Sequence, residues 1–172
     1  MLMLSCLDVA YAGSSAVAAC VTFAEWRSST PAHQIVRRFS DVAPYEPGNF
    51  YRRELPCLVA TLEQLPERPE LVIVDGYVWL GAGRPGLGVR LFDVLGRSTP
   101  VVGVAKSPFP GAPGVEVLRG GSRTPLYVTA AGIDVVEAAE NVRQMSGPYR
   151  LPAMLKLADQ LCRASQVSGS AG

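Results

Sequence analysis

Two kinds of hydrophobic pattern alternate along this chain, short unbroken apolar runs and stretches with helical spacing, and they separate strands from helices. The runs Leu2 to Leu7 and Glu70 to Val74 are β-like, and each leads directly into an acid, Asp8 and Asp75. Gly13-Ser14-Ser15 turns the first run back into a small-residue and β-branched strand over Ala16 to Ala24. His33 to Ser40 adds a third strand, with Ile35 alternating against polar neighbours. Pro44 and Pro47-Gly48 make Asp41 to Phe50 a loop. Leu55, Leu58, Val59 and Leu62 then share one face of a helix over Glu54 to Leu65, with Pro56 in its first turn.

Pro66 and Pro69 lead into a strand over Leu71 to Val74. A glycine-rich loop and a helix over Pro85 to Leu95 follow. Pro100 to Ala105 is a continuous apolar run, as suits a strand covered on both faces. Pro108 to Thr124 reads as a loop with a short strand at Val115 to Leu118, and Leu126 to Thr129 as a further strand. Two helices, Asp134 to Met145 and Pro152 to Ala164, close the pattern. Hairpin strands first, then strands alternating with helices, predict an α/β fold: a ribonuclease H-like mixed sheet with helices packed on it. One domain is expected over 1–164, with a disordered tail over 165–172.

Composition changes this picture little. A net charge of +1 carries no global signal for a polyanionic partner, but fourteen of the sixteen cations are arginine, which suits phosphate contact. Arg37-Arg38, Arg52-Arg53 and the pair Arg119 and Arg123 are the local concentrations. Cys6, Cys20, Cys57 and Cys162 are scattered in apolar contexts without a C-x-x-C pair, so buried reduced thiols and a cytoplasmic chain are expected. Ala10-Tyr11-Ala12 imitates a signal cleavage site, yet the start lacks a positive n-region and carries Asp8 inside its apolar segment.

The candidate chemistry lies in the acids. A carboxylate just past a buried strand must be solvated, paired or metal-bound. Asp8 and Asp75, with Glu54 opening a helix between them, suit an oxygen-ligand site for Mg²⁺ or Mn²⁺ and the hydrolysis of phosphodiesters. Taken singly, each aspartate also reads as a turn cap or an arginine's partner. Lys106 ends a buried-looking strand. Gly81-Ala82-Gly83-Arg84-Pro85-Gly86 matches a dinucleotide fingerprint literally, but it begins well after its strand, so a turn into the next helix is the better account. His33 is the only histidine, and no nucleophile elbow accompanies it. Tyr45, held between prolines, is either a rigid stacking group or a tyrosine folded back on the core.

Several segments together resemble the endonuclease V family, metal-dependent enzymes that recognise deaminated purines. They are Leu7-Asp8-Val9-Ala10-Tyr11, Pro44-Tyr45-Glu46-Pro47-Gly48 running to Arg53-Glu54, and Leu71-Val72-Ile73-Val74-Asp75-Gly76. Pro100 to Lys106, Pro125 to Thr129, and Tyr149-Arg150-Leu151-Pro152 followed by Leu157-Ala158-Asp159 complete the order. The resemblance implies that Asp8, Glu54 and Asp75 bind metal, that Asp159 is a further active-site acid, and that Lys106 faces the scissile phosphate. It implies a strand-separating wedge at Tyr45, Gly48 and Phe50, and a base pocket near Gly76 and Val78. The implied reaction is hydrolysis of the second phosphodiester 3′ to inosine, in DNA or RNA, leaving 3′-hydroxyl and 5′-phosphate ends. The implied partner is inosine-containing nucleic acid; no membrane partner is expected, and a monomer is. The chain departs from the family pattern where Val78 replaces glycine, Gly81 replaces a histidine, Ala131-Gly132 replaces Gly-His, Glu46 makes the wedge acidic, and Ala153 replaces glutamate. Val78 and Gly81 therefore leave open a structure- or mismatch-directed nuclease, and a non-catalytic nucleic-acid binder is the remaining alternative.

Overall fold

The strand runs read from the sequence assemble into a seven-stranded sheet between two layers of helices. In the computed structural model, residues 2–47, 49 and 51–169 are described, 166–169 by backbone alone. β1 (Leu4–Ala12), β2 (Ser15–Phe23) and β3 (His33–Phe39) form an antiparallel meander. α1 (Tyr51–Leu62) precedes β4 (Leu71–Asp75). A small hairpin of β5 (Trp79–Gly81) and β6 (Arg84–Pro85) then leads into α2 (Leu87–Val94). β7 (Val101–Ala105), β8 (Val115–Val117), β9 (Leu126–Ala131), α3 (Val135–Gln144) and α4 (Ala153–Gly169) follow. The sheet order is β3-β2-β1-β4-β7-β9-β8, with β1, β4 and β7 parallel at its centre.

Period-two alternation divides each central strand between two cores. Leu4, Cys6, Leu71, Ile73, Val102 and Val104 pack beneath Ala138, Val142, Leu155 and Ala158 of α3 and α4. Leu7, Val72, Val74 and Val101 meet Leu58, Leu62, Leu91 and Phe92 of α1 and α2 on the other face. Burial on both faces is why these strands read as unbroken apolar runs. All four cysteines are buried and free, as expected. Among the described residues no helix is long and apolar enough to cross a membrane.

Four element boundaries differ from the sequence pattern. β1 continues past Asp8 to Ala12, because β2 goes on pairing with it as far as Ala12↔Ser15 while β4 stops at Leu7↔Val74. The segment read as a glycine-rich loop contains the β5–β6 hairpin, after which Gly86 caps α2 as a turn residue. α1 starts at Tyr51, so Pro56 sits beyond the first turn, where its missing N–H leaves the Arg52 carbonyl without its usual helical donor. α4 runs on to Gly169, past the predicted end at Ala164; residues 170–172 lie outside the described residues.

Candidate active site

Three neighbouring parallel strands deliver their charged residues to one face by the same alternation. Asp8 follows Leu4 and Cys6, Asp75 follows Leu71 and Ile73, and Lys106 follows Val102 and Val104, so all three belong to the face that α3 and α4 cover. α4 faces them with Asp159, one residue beyond the buried Ala158. Lys106 Nζ lies 3.1 Å from Asp75 Oδ2, and Arg163 Nε lies 2.9 Å from Asp159 Oδ1. Asp8 Oδ1 accepts the Val9 N–H at 2.9 Å. These side chains, with Tyr11, line an open cleft of about 410 Å³.

Glu54 arrives from the opposite side. α1 packs on the other face through Leu58 and Leu62, and its first turn brings Glu54 round the end of β4 to Asp75. There Glu54, Asp75, Gly76, Tyr51 and Tyr77 line a second pocket of about 220 Å³. Asp75 is thus shared between two sites. On that same face Arg53 lies over the Tyr11 ring, 3.5 Å from its centroid, which ties β1 to the start of α1. Arg163 and Tyr11 are site residues that the sequence reading missed. The i,i+4 spacing from Asp159 is a visible signal for Arg163, and Tyr11 closes the Leu7-Asp8-Val9-Ala10-Tyr11 block that carries the family resemblance, without a role assigned to it there.

The electrostatics follow from crowding acids at strand ends. Burial, repulsion from Asp75 and, more weakly, from Asp159 push Asp8 up to about 7. Burial and Asp75 push Glu54 to about 7 as well. Burial alone would lower Lys106, but Asp75, Asp8 and Asp159 outweigh it and raise the ammonium group's pKa. Both raised carboxyls hold their protons more tightly folded than unfolded, where values near 3.8 and 4.5 apply. Their stabilising contribution is therefore complete below about pH 4 and is lost as pH climbs through 7. The metal-free protein is expected to lose on the order of 3–4 kcal/mol for each of the two carboxyls across that window. Thermal melts in EDTA check this; a melting temperature that is flat or rising between pH 5 and pH 7.5 would contradict it.

The donor set is all oxygen, which fits a hard divalent cation, and a cation would relieve the repulsion that raises Asp8 and Glu54. Among the described residues no three His, Cys, Asp or Glu side chains stand close enough to share one ion as they lie. The reason is geometric: Asp75 rests on Lys106, and Glu54 lies across β4 from Asp8 and Asp159.

Other expected site residues divide. Gly76 lines the second pocket, with φ at +128° and its N–H on the Val104 carbonyl at 3.0 Å. Val78 does not line it. Its side chain is fully buried against Gly88 of α2, and its N–H donates to Thr129 Oγ1 at 2.7 Å, so it is a core residue rather than a wall for a base. Gly81 lies in β5, also away from the pocket lining. Tyr45 is 54% exposed, which removes the core-packed alternative for it. Glu46 pairs with Arg52 at 3.4 Å, offsetting the acidic charge in that loop. Gly48 and Phe50 lie outside the described residues. His33 begins β3 at the surface. Arg37 donates to the Ala60 carbonyl, and Arg119 is buried among five carbonyls, so neither is presented for phosphate contact.

A ribonuclease H-like sheet with acids and a lysine gathered at the ends of its central strands defines the class to which this protein belongs. The endonuclease V family model matches residues 2–131, and the chain belongs to the endonuclease V family. Endonuclease V of Streptomyces avermitilis is 33% identical over 141 residues, covering 70% of this chain and 61% of that protein. For the Streptomyces coelicolor enzyme the figures are 34% over 143 residues, 71% and 60%. These matches span about three fifths of the curated relatives' length. The crystal structure of the Streptomyces avermitilis protein aligns with a TM-score of 0.80 at 28% identity, over 98% of this chain and 82% of that one. Ciona intestinalis endonuclease V, solved with a 24mer DNA containing an inosine followed by a ribo-adenosine, aligns at 0.84 over 97% and 86%. Its 19% identity speaks for the fold alone.

Proposed function

We propose that this protein is a divalent-cation-dependent endonuclease that hydrolyses a phosphodiester 3′ to inosine in DNA or RNA. The observation that carries this reading is the convergence of Asp8, Asp75 and Lys106 from three adjacent strands, faced by Asp159 from α4. Family membership supports it. Asp8, Glu54 and Asp75 would hold Mg²⁺ or Mn²⁺, with Asp159 beside them. Bound there, the cation supplies positive charge against the phosphate and lowers the pKa of a water molecule.

The remaining work falls to this chain's own groups. Lys106 uses one of its three donors on Asp75 and keeps the others for a non-bridging phosphate oxygen, where charge builds up in the transition state. Arg163 holds the Asp159 carboxylate in one orientation. Gly76 and the rings of Tyr51 and Tyr77 border the pocket next to Asp75, which supports it as the place for a splayed-out base. Because Val78 and Gly81 stand outside that pocket, their departure from the family pattern gives no reason to redirect the enzyme from inosine.

The test compares inosine, uracil, mismatch and flap substrates as single-stranded DNA and RNA with Mg²⁺. A clear inosine preference that stops in excess EDTA is expected. Cleavage that persists in EDTA or in Asp75→Ala would reject the assignment. Lys106→Met is expected to lower kcat on the order of 10²-fold with little change in KM, because its charge acts on the transition state.

A further inference from the structure

Directly after Lys106 the chain reads Ser107-Pro108-Phe109-Pro110, an aromatic residue locked between two prolines. The ring of Pro108 fixes its own φ, and Pro110 confines Phe109 to extended conformations, so little backbone freedom remains to be lost on binding. Phe109 is 38% exposed. Two neighbours hold it there. The Tyr77 ring stands 6.1 Å away at a 57° tilt, and its hydroxyl donates to the Ser107 carbonyl at 2.7 Å. The second is the Arg84 guanidinium, 5.8 Å from the Phe109 centroid. Arg84 is exposed on β6 and forms no ion pair among the described residues.

Tyr77 also lines the pocket beside Asp75 and Gly76, so the aromatic surface continues outward from that pocket to Phe109. An exposed ring next to a guanidinium with no ion pair among the described residues matches the two parts of a nucleotide, a flat π-face and a phosphate. We infer that Phe109 and Arg84 form a platform for a nucleotide adjacent to the one in the pocket, Phe109 stacking on its base and Arg84 pairing with its phosphate. This rests on the proposed nucleic-acid substrate. A duplex hides its base faces, so the platform takes a strand that is single or locally opened.

Binding in EDTA separates this inference from catalysis. The probe is a short single-stranded oligonucleotide with inosine and a 2-aminopurine on one side or the other of it. Native protein and Phe109→Trp should quench the 2-aminopurine fluorescence in one of the two placements. Phe109→Ala should lose that quench and bind roughly 10-fold more weakly, at an unchanged melting temperature. Arg84→Gln should reduce the salt dependence of binding by about 0.7 in log–log slope. Equal quench and affinity in native protein and Phe109→Ala would overturn the platform, as would no quench by native protein in either placement. Normal inosine cleavage with either result would leave the proposed reaction standing, whereas lost quench in Phe109→Ala by a protein that never cleaves would refute only the reaction.

Discussion

Asp75→Asn is expected to fold normally and to cleave inosine-containing strands on the order of 10³-fold more slowly than native protein. Asp75 alone borders both the cleft with Asp8, Lys106 and Asp159 and the pocket with Glu54. Removing its charge therefore disables both halves at once. The same substitution carries a second, independent signature. Asp75 is the main charge opposing ionisation of Asp8 and of Glu54, after burial. Without it both carboxyls titrate nearer their ordinary values, and the loss of metal-free stability between pH 5 and pH 7.5 becomes shallower. Lys106 loses its partner, but at about one-third exposure the ammonium group is well solvated and the cost is small. Stopped-time cleavage assays and melts across that pH range check the two signatures. A variant that retains cleavage would remove Asp75 from the chemistry, and an unchanged pH profile would contradict the charge crowding.

Arg119→Met is expected to destabilise the protein by about 3 kcal/mol or more, a fall in melting temperature of roughly 10 °C. Arg119 is 9% exposed, and its guanidinium serves as the cap of the connection between α3 and α4. Nη1 donates to the Tyr149 and Arg150 carbonyls at 2.7 and 3.1 Å. Nη2 donates to Met145, Ser146 and Gly147 at 2.5, 3.4 and 3.3 Å. Methionine fills similar space but leaves those carbonyls without donors. The effect should reach the active site, because Arg150 in turn donates to the Lys106 carbonyl at 2.9 Å and this connection launches the helix that carries Asp159. Chemical denaturation of the variant measures the cost, and Arg119→Lys should recover only part of it, since an ammonium group lacks the planar fork. A loss below about 1 kcal/mol would show that water replaces the guanidinium without penalty.

Much of the site was legible because its elements announce themselves locally. An apolar run ending in an acid marks a strand leaving the core, and this identified Asp8, Asp75 and the strand before Lys106. The spacing of Leu55, Leu58, Val59 and Leu62 placed the buried face of α1. Other features depend on partners remote along the chain. β1 outlasts Asp8 because β2 continues beside it, a consequence of register rather than composition. The resemblance places Val78 near a base pocket, at a position where the family has glycine. Its burial is decided by the close approach of Gly88, where an added Cβ would come within 2.5 Å of the valine methyl group. Arg119, one of many arginines, became structural only where five carbonyls from the α3–α4 connection surround it.

By itself, then, the order of residues determined which side chains carry charge at the ends of apolar strands and which periodicity each segment obeys, since both are properties of neighbouring positions. Tertiary structure alone decided that Glu54 reaches Asp75 from the far side of the sheet, and that Lys106 rests on that same carboxylate while Asp159 faces Asp8. The physical reason is that distances between groups separated by tens of residues follow from strand pairing and helix packing, and charge repulsion has no magnitude until those distances exist.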